Sequence, residues 1–234
     1  MSLTLPHLSD AAVRALVADV NRKGFACVPN YIDPESLARM QAFVHGAVRE
    51  AGNQYVGFAG PDAVAGSGLD EVYHSPEFAK LMRNMYEFGT GKSAPREDFY
   101  QVLRCLAGET GQRHAWMFHY DSYVVTALVP IVIPTEGKSG DLLMFPNTRS
   151  IRPAYLLNAA DKVLLDNRLT QKLLRRSVER DPDRPTRIKM QPGTLYFFWG
   201  YRSIHTNEPC DPDKVRATAL FHYANPHRKV KAAS

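Results

Sequence analysis

The chain has 234 residues, 44% of them hydrophobic and 23% charged, with a formal net charge of +5. That length suits one domain with embellishments, and the composition excludes a disordered or fibrous protein. The longest apolar run, Val124 to Ile133, is broken by Thr126 and Pro130 and falls short of the roughly 20 residues that a membrane span needs, so no membrane partner is expected. The opening residues carry no basic region followed by an apolar stretch, so no secretory signal is expected. Cys27, Cys105 and Cys210 are widely spaced and odd in number, which suits neither a zinc knuckle nor a disulfide framework and points to a reducing, cytoplasmic setting. Part of the positive charge sits in a basic tail, 226–234, that is expected to fray. No basic stripe interleaved with aromatics stands out, so nucleic acid is not an expected partner, whereas an anionic small molecule suits the charge.

In chain order, Ser9 caps a helix whose apolar positions Val13, Leu16, Val17 and Val20 recur at helical spacing, and Gly24 closes it. Phe25 to Pro29 reads as a short strand. Asp33-Pro34-Glu35 opens a second helix with Leu37, Met40, Val44 and Val48 on one face. Residues 52–72, rich in Gly and Ala, read as a loop. Ser75-Pro76-Glu77 then starts a third amphipathic helix through Phe78, Leu81, Met82 and Met85. Residues 1–97 are thus mostly helical support.

From Asp98 the pattern changes to strands. Phe99–Ala107, Trp116–Ile133, Asp141–Phe145, Arg187–Met190, Thr194–Trp199 and Val215–Tyr223 are rich in β-branched and aromatic residues and are separated by Gly108, Gly111, Gly137 to Gly140 and Pro192-Gly193. Helices first and strands after predict an antiparallel sandwich or barrel over 98–225 with helical decoration. Asn158–Arg180 interrupts the series as one inserted helix within an insertion at 147–187, a candidate lid over a site. Together these parts predict a single domain over 1–234.

The chemistry gathers around His119-Tyr120-Asp121. Residues two apart on a strand point to one side, so an imidazole and a carboxylate reach a common point. A distal histidine would complete a facial triad with open metal positions, and His205, after the Leu195–Trp199 strand and a tight turn, is the candidate. An H-x-D alone is weak, because such a pair on a strand is ordinarily structural. Arg216-Ala217-Thr218 adds weight: a guanidinium fork suits a carboxylate, and the Thr218 hydroxyl faces the same side.

With the Gly24-Phe25-Ala26-Cys27-Val28-Pro29-Asn30-Tyr31-Ile32-Asp33-Pro34-Glu35 opening, the H-x-D, His205-Thr206-Asn207-Glu208-Pro209 and the R-x-T, the chain resembles the phytanoyl-CoA dioxygenase-like branch of the iron(II)/2-oxoglutarate oxygenases. The likeness covers Gly24 to Tyr223. It implies a mainly β fold with flanking helices and a double-stranded β-helix (jelly-roll, cupin-like) core. His119, Asp121 and His205 are the implied catalytic iron(II) ligands. Arg216, helped by Thr218, is implied to hold the distal carboxylate of the co-substrate 2-oxoglutarate. The implied reaction consumes O2, releases succinate and CO2, and hydroxylates, desaturates or cyclises at an unactivated C–H bond of a small molecule. Retention of Asp121 points away from a halogenase, which has a small residue there. The chain departs from many relatives in its Pro192-Gly193-Thr194 turn, where they carry Gly-Asp, and in its long insertion.

Other residues are candidates for the pocket. Gln101 and Arg104 face opposite sides of their strand, and Gln101 is the favoured co-substrate contact. Thr126 is a second candidate, though its parity sets it apart from His119. His222 shares the parity of Arg216 and Thr218 and is a candidate pocket wall. His114 reads as a rim residue, and Arg149, Arg152 and Arg202 are candidates for a substrate carboxylate or phosphate. Trp116, Phe118, Tyr123 and Trp199 read as aromatic core or pocket lining. Two other classes remain open: a cupin-type metal enzyme that does not use 2-oxoglutarate, and a jelly-roll binding protein without activity. Arg216-x-Thr218 argues against the first and the intact triad against the second.

Overall fold

The computed structural model describes residues 3–152 and 154–227. The basic stretch 228–234 lies outside the described residues, whereas His227 is placed, its Nε2 2.9 Å from the Tyr201 hydroxyl.

Helix α1 spans Asp10–Lys23. Ser9 caps it by accepting from the Ala12 N–H, and Gly24 ends it in the left-handed region. Strand β1 (Phe25–Val28) follows, then α2 (Pro34–Glu50), where the Asp33 carboxylate accepts from the Ser36 N–H and Pro34 occupies the first turn. The stretch expected to be a loop holds structure of its own: β2 (Val56–Ala59), a short 3₁₀ turn and α3 (Leu69–His74). These elements are too short to produce a periodic signal. Helix α4 (Pro76–Thr90) starts at the predicted Ser75 cap.

The strands are β3 (Tyr100–Leu106), β4 (Val125–Val132), β5 (Leu142–Phe145), β6 (Thr186–Ile188), β7 (Leu195–Phe198), β8 (Ile204–Asn207) and β9 (Arg216–Tyr223), with a short helix α5 (Gly108–Gln112) after β3. They form two antiparallel sheets. The larger has the order β1-β7-β4-β9-β3-β2 and the smaller β6-β5-β8. From β4 onward the chain crosses between the sheets repeatedly, β7 and β9 lying in the first and β5, β6 and β8 in the second.

Three sequence expectations are corrected. Trp116–Ile133 is not one strand: only Val125–Val132 is, and the preceding stretch is irregular, with Trp116 at φ 58°. His205, expected after the Leu195–Trp199 strand and a turn, sits in a strand of its own that was not predicted, β8, in the other sheet. The insertion is two helices, α6 (Tyr155–Asp166) and α7 (Arg168–Arg180), broken at Asn167, which caps α7. An asparagine at extended dihedrals splits what the apolar periodicity alone reads as continuous.

The larger sheet has two different faces because its strands alternate. One face, including Leu103, Cys105, Ala127, Val129, Phe197, Ala219 and Phe221, packs under α1, α2 and α4 through Val17, Val44, Phe78 and Met85. The other face looks toward the smaller sheet. There Leu128, Tyr196 and Phe198 meet Leu142, Met144 and Ile188. The polar residues of interest lie beside this second core.

Candidate metal centre

His119 and His205 face each other across a two-bond backbone bridge. Each N–H donates to the other's carbonyl at 3.1 Å, and the ring centroids are 4.3 Å apart. Asp121 is placed by its own N–H, which donates to the Gly200 carbonyl at 3.0 Å. Nε2 of His119 lies 3.6 Å and Nε2 of His205 3.5 Å from Oδ1 of Asp121. Ligating atoms of all three lie within 4.8 Å of one another. The H-x-D convergence therefore exists, although an irregular segment rather than a regular strand produces it.

The rings are oriented by their far nitrogens. His119 Nδ1 is 2.8 Å from the Met117 carbonyl and His205 Nδ1 is 3.1 Å from the Ser203 carbonyl. A carbonyl only accepts, so both Nδ1 atoms carry the proton and both Nε2 lone pairs point at the common locus. Phe198 packs edge-on against the His205 ring at 4.9 Å.

Asp121 is almost wholly buried, and its Oδ2 accepts from the Thr126 hydroxyl at 2.5 Å. Thr126 Oγ1 also lies 3.1 Å from His222 Nδ1. With the threonine proton committed to the carboxylate, that contact is His222 Nδ1–H donating to Thr126. Oδ2 is thus occupied and Oδ1 faces the histidines. Burial pushes the Asp121 carboxyl up, but the surrounding His205, His222 and His119 outweigh it and hold the group well below the usual carboxylate range. His222 is wedged beside Tyr100 and Tyr123.

Gly200 permits this approach. A Cβ there would meet Asp121 Oδ2 and Thr126 Oγ1 and stand 2.9 Å from Asp121 Cβ. In the sequence, Gly200 belongs to the tight turn before His205 and carries no direct sign of contact with Asp121. A turn glycine just after a strand and five residues before a candidate ligand was the available signal.

Arg216 is fully buried at the start of β9. Its Nε donates to the Gly140 carbonyl at 2.8 Å and its Nη2 to Asn207 Oδ1 at 3.3 Å. No carboxylate pairs with it among the described residues, and burial pushes its pKa down to about 10. A buried cation without an anion is a costly arrangement unless a ligand completes it. Thr218 is buried on the same side of β9, in register with Arg104 on β3 and with Pro130 on β4.

One favoured pocket residue falls elsewhere. Gln101 belongs to the opposite sheet face, beneath the helices, where its Nε2 donates to the Leu69 carbonyl at 3.2 Å. Arg104, the alternative from the same strand, lines the cavity instead. Thr126 is at the site, but its hydroxyl serves Asp121. Of the arginines, Arg149 and Arg152 both pair with Asp161, at 2.9 and 2.7 Å, and so hold α6 in place.

A cavity of about 570 Å³ opens beside His119, walled by Arg104, His114, Trp116, Met117 and Gln171 among others. His114 stacks on Tyr55 at 3.8 Å. From α7, Gln171 accepts from the Phe118 N–H at 2.9 Å and donates to the Phe118 carbonyl at 2.7 Å. The insertion is therefore fastened to the residue next to His119.

No protein-family model matches the sequence, and a search of curated proteins finds no match. Solved structures do match. A prolyl-4-hydroxylase from Pseudomonas putida shares 15% identity and a TM-score of 0.55, covering 96% of this chain and 98% of that one. A prolyl hydroxylase from Trichoplax adhaerens, in complex with a peptide fragment of the hypoxia inducible factor oxygen degradation domain, shares 12% identity and a TM-score of 0.61, covering 96% and 94%. SnoN, a non-heme alpha ketoglutarate dependent epimerase from nogalamycin biosynthesis, shares 15% identity and a TM-score of 0.53, covering 97% and 92%. Likeness at this identity establishes a common fold across nearly the whole chain.

Proposed function

We propose that this chain is an iron(II)- and 2-oxoglutarate-dependent oxygenase acting on a small molecule, built as one domain over residues 1–234 on a jelly-roll core. The observation that carries the reading is the convergence of the His119 and His205 Nε2 atoms on Asp121 Oδ1, with both Nδ1 atoms tied to backbone carbonyls. Two imidazoles and one carboxylate on one side are the donor set that suits iron(II) and leaves positions open. The fold shared with prolyl hydroxylases and an alpha ketoglutarate dependent epimerase supports the same reading. The Gly24–Glu35 opening and the R-x-T favour the phytanoyl-CoA dioxygenase-like branch within it. Three cysteines without a disulfide agree with a cytoplasmic setting. Among the described residues no helix is long and apolar enough to cross a membrane.

When bound, iron(II) with 2-oxoglutarate and O2 supplies an oxidative decarboxylation, yielding succinate and CO2, coupled to attack on an unactivated C–H bond. The chain's own residues bind and orient. His119, Asp121 and His205 hold the metal, and Thr126 with His222 fixes which Asp121 oxygen is offered. Arg216, with Thr218 beside it, takes the distal carboxylate of 2-oxoglutarate and neutralises an otherwise unpaired buried cation. Arg104, whose side chain has no ion-pair partner among the described residues, lines the cavity and suits an anionic group of the substrate. The apolar contact of Leu128, Tyr196 and Phe198 with the smaller sheet keeps water from the site's inner side.

An anaerobic titration with iron(II) and then 2-oxoglutarate tests this reading through the weak visible charge-transfer band of the chelate. A saturable band that is lost in His119→Ala and Arg216→Ala is the expected result. Tight iron without a band would favour a cupin-type enzyme, and no iron binding would favour a binding protein without activity.

A further inference from the structure

The insertion has an inner and an outer side of opposite character. Its inner side is fastened to the metal-bearing segment. Gln171 clamps Phe118, Lys162 Nζ donates to Ser122 Oγ at 2.7 Å, and Asn158, Leu165 and Val178 are buried. Its outer side is apolar and uncovered. Leu156, Val163, Leu164, Leu169 and Leu173 are 79%, 71%, 69%, 65% and 55% exposed. Of nine exposed large apolar side chains among the described residues, seven lie on α6 and α7, so this is a patch and not the ordinary scatter of a soluble surface.

Charge decides what fits there. Arg168, Lys172, Arg176 and Arg180 recur every four residues along α7, next to Leu169 and Leu173, and all are exposed. None of the four makes an ion pair with a described residue; the one acid of the helix, Glu179, is taken by Arg175 at 2.8 Å. A second copy on this face would oppose two clusters of unpaired cations, which repel. An anionic lipid surface accepts both features, because leucines enter the headgroup–acyl boundary while long cationic side chains reach the phosphates. Helices of 12 and 13 residues are too short to span a bilayer and long enough to lie on one.

We infer that the outer face of the α6–α7 hairpin docks this protein on an anionic lipid surface. The hairpin then lies between the lipid and the cavity, because Asp166 and Gln171 form part of the cavity wall beside His119 and Met117. The inference stands apart from the oxygenase reading, since it concerns a surface and its test reads no activity.

The test is co-sedimentation of the full chain with vesicles of phosphatidylcholine alone or mixed with phosphatidylserine, together with light scattering of the protein without lipid. The expected result is sedimentation with the mixed vesicles only, weakening as salt rises. Removal of each basic side chain should lower affinity roughly fivefold. Leu164→Glu with Leu173→Glu should lower it at least tenfold, with an unchanged melting temperature because both positions are exposed. No difference between the two vesicle types, or no sedimentation with either, overturns the proposal. So does a wild-type dimer that ignores vesicles and that Leu164→Glu dissociates, which would assign the face to a second copy.

Discussion

The hydroxyl of Thr126 donates to Oδ2 of Asp121 at 2.5 Å, so the oxygen turned toward His119 and His205 is Oδ1. Thr126→Val keeps the shape and removes that donor. Oδ2 is then left to the more distant His222, with Nδ1 at 3.6 Å. Iron(II) affinity should fall about 10- to 100-fold, the range for loss of an outer-shell partner. Thr126→Ser should restore most of it. An iron(II) titration of both variants checks this, and equal affinity in wild type and Thr126→Val would remove the positioning role.

Gly200 should be intolerant of any side chain for a reason local to the candidate metal site. A methyl group there overlaps Asp121 Oδ2 and Thr126 Oγ1. Gly200→Ala should destabilise the fold by about 1–3 kcal/mol, as overpacking does. It should also abolish tight metal binding, because the nearest atom that can yield is the carboxylate itself. Thermal melts with and without iron(II) separate the two effects: the variant should melt cooperatively yet gain nothing from the metal.

Gln101 gives the opposite expectation. It lies under the helices, bonded to the Leu69 carbonyl, with Oε1 buried and unpartnered. Gln101→Leu should leave iron(II) and 2-oxoglutarate affinities unchanged. Stability should shift by less than about 1 kcal/mol, because one modest hydrogen bond is lost together with one unsatisfied acceptor. A weakened 2-oxoglutarate affinity would put Gln101 back at the site.

Gln101 and Arg104, both in β3 but with opposite fates, show where the sequence was legible and where it was not. Helices α1, α2 and α4 announce themselves through caps and apolar periodicity, because Ser9, Asp33 and Ser75 act within a single turn. The grouping of His119, Asp121 and His205 was legible only in combination, because an H-x-D pair alone is ordinarily structural and gained weight from Arg216-x-Thr218. Which face of β3 looks at the metal was not, since strand alternation fixes that Gln101 and Arg104 diverge but leaves open which side the helices cover. That choice depends on pairing with β9, where Arg104 lies opposite Thr218. Likewise, the Thr126–Asp121 bond joins a strand to an irregular segment, a geometry that period-two reasoning does not describe.

Substitution of Arg216 separates the proposed co-substrate binding from folding. Its guanidinium is buried beside Gly140 and Asn207 with no carboxylate partner among the described residues, so the free protein carries the desolvation penalty alone. Arg216→Met should therefore leave the melting temperature of the free protein equal or higher, while iron(II) affinity is retained. In wild type already loaded with iron(II), adding 2-oxoglutarate should raise the melting temperature further by mass action, by about 2.7 kcal/mol of stability at a hundredfold excess over Kd. In Arg216→Met that rise should vanish. Arg216→Lys should recover little, because a point charge does not reproduce a planar fork that also holds Gly140 and Asn207. Differential scanning calorimetry across the three proteins decides it: a full ligand-induced rise in Arg216→Met would place the distal carboxylate elsewhere, and Arg104 on the facing strand would be the next residue to substitute.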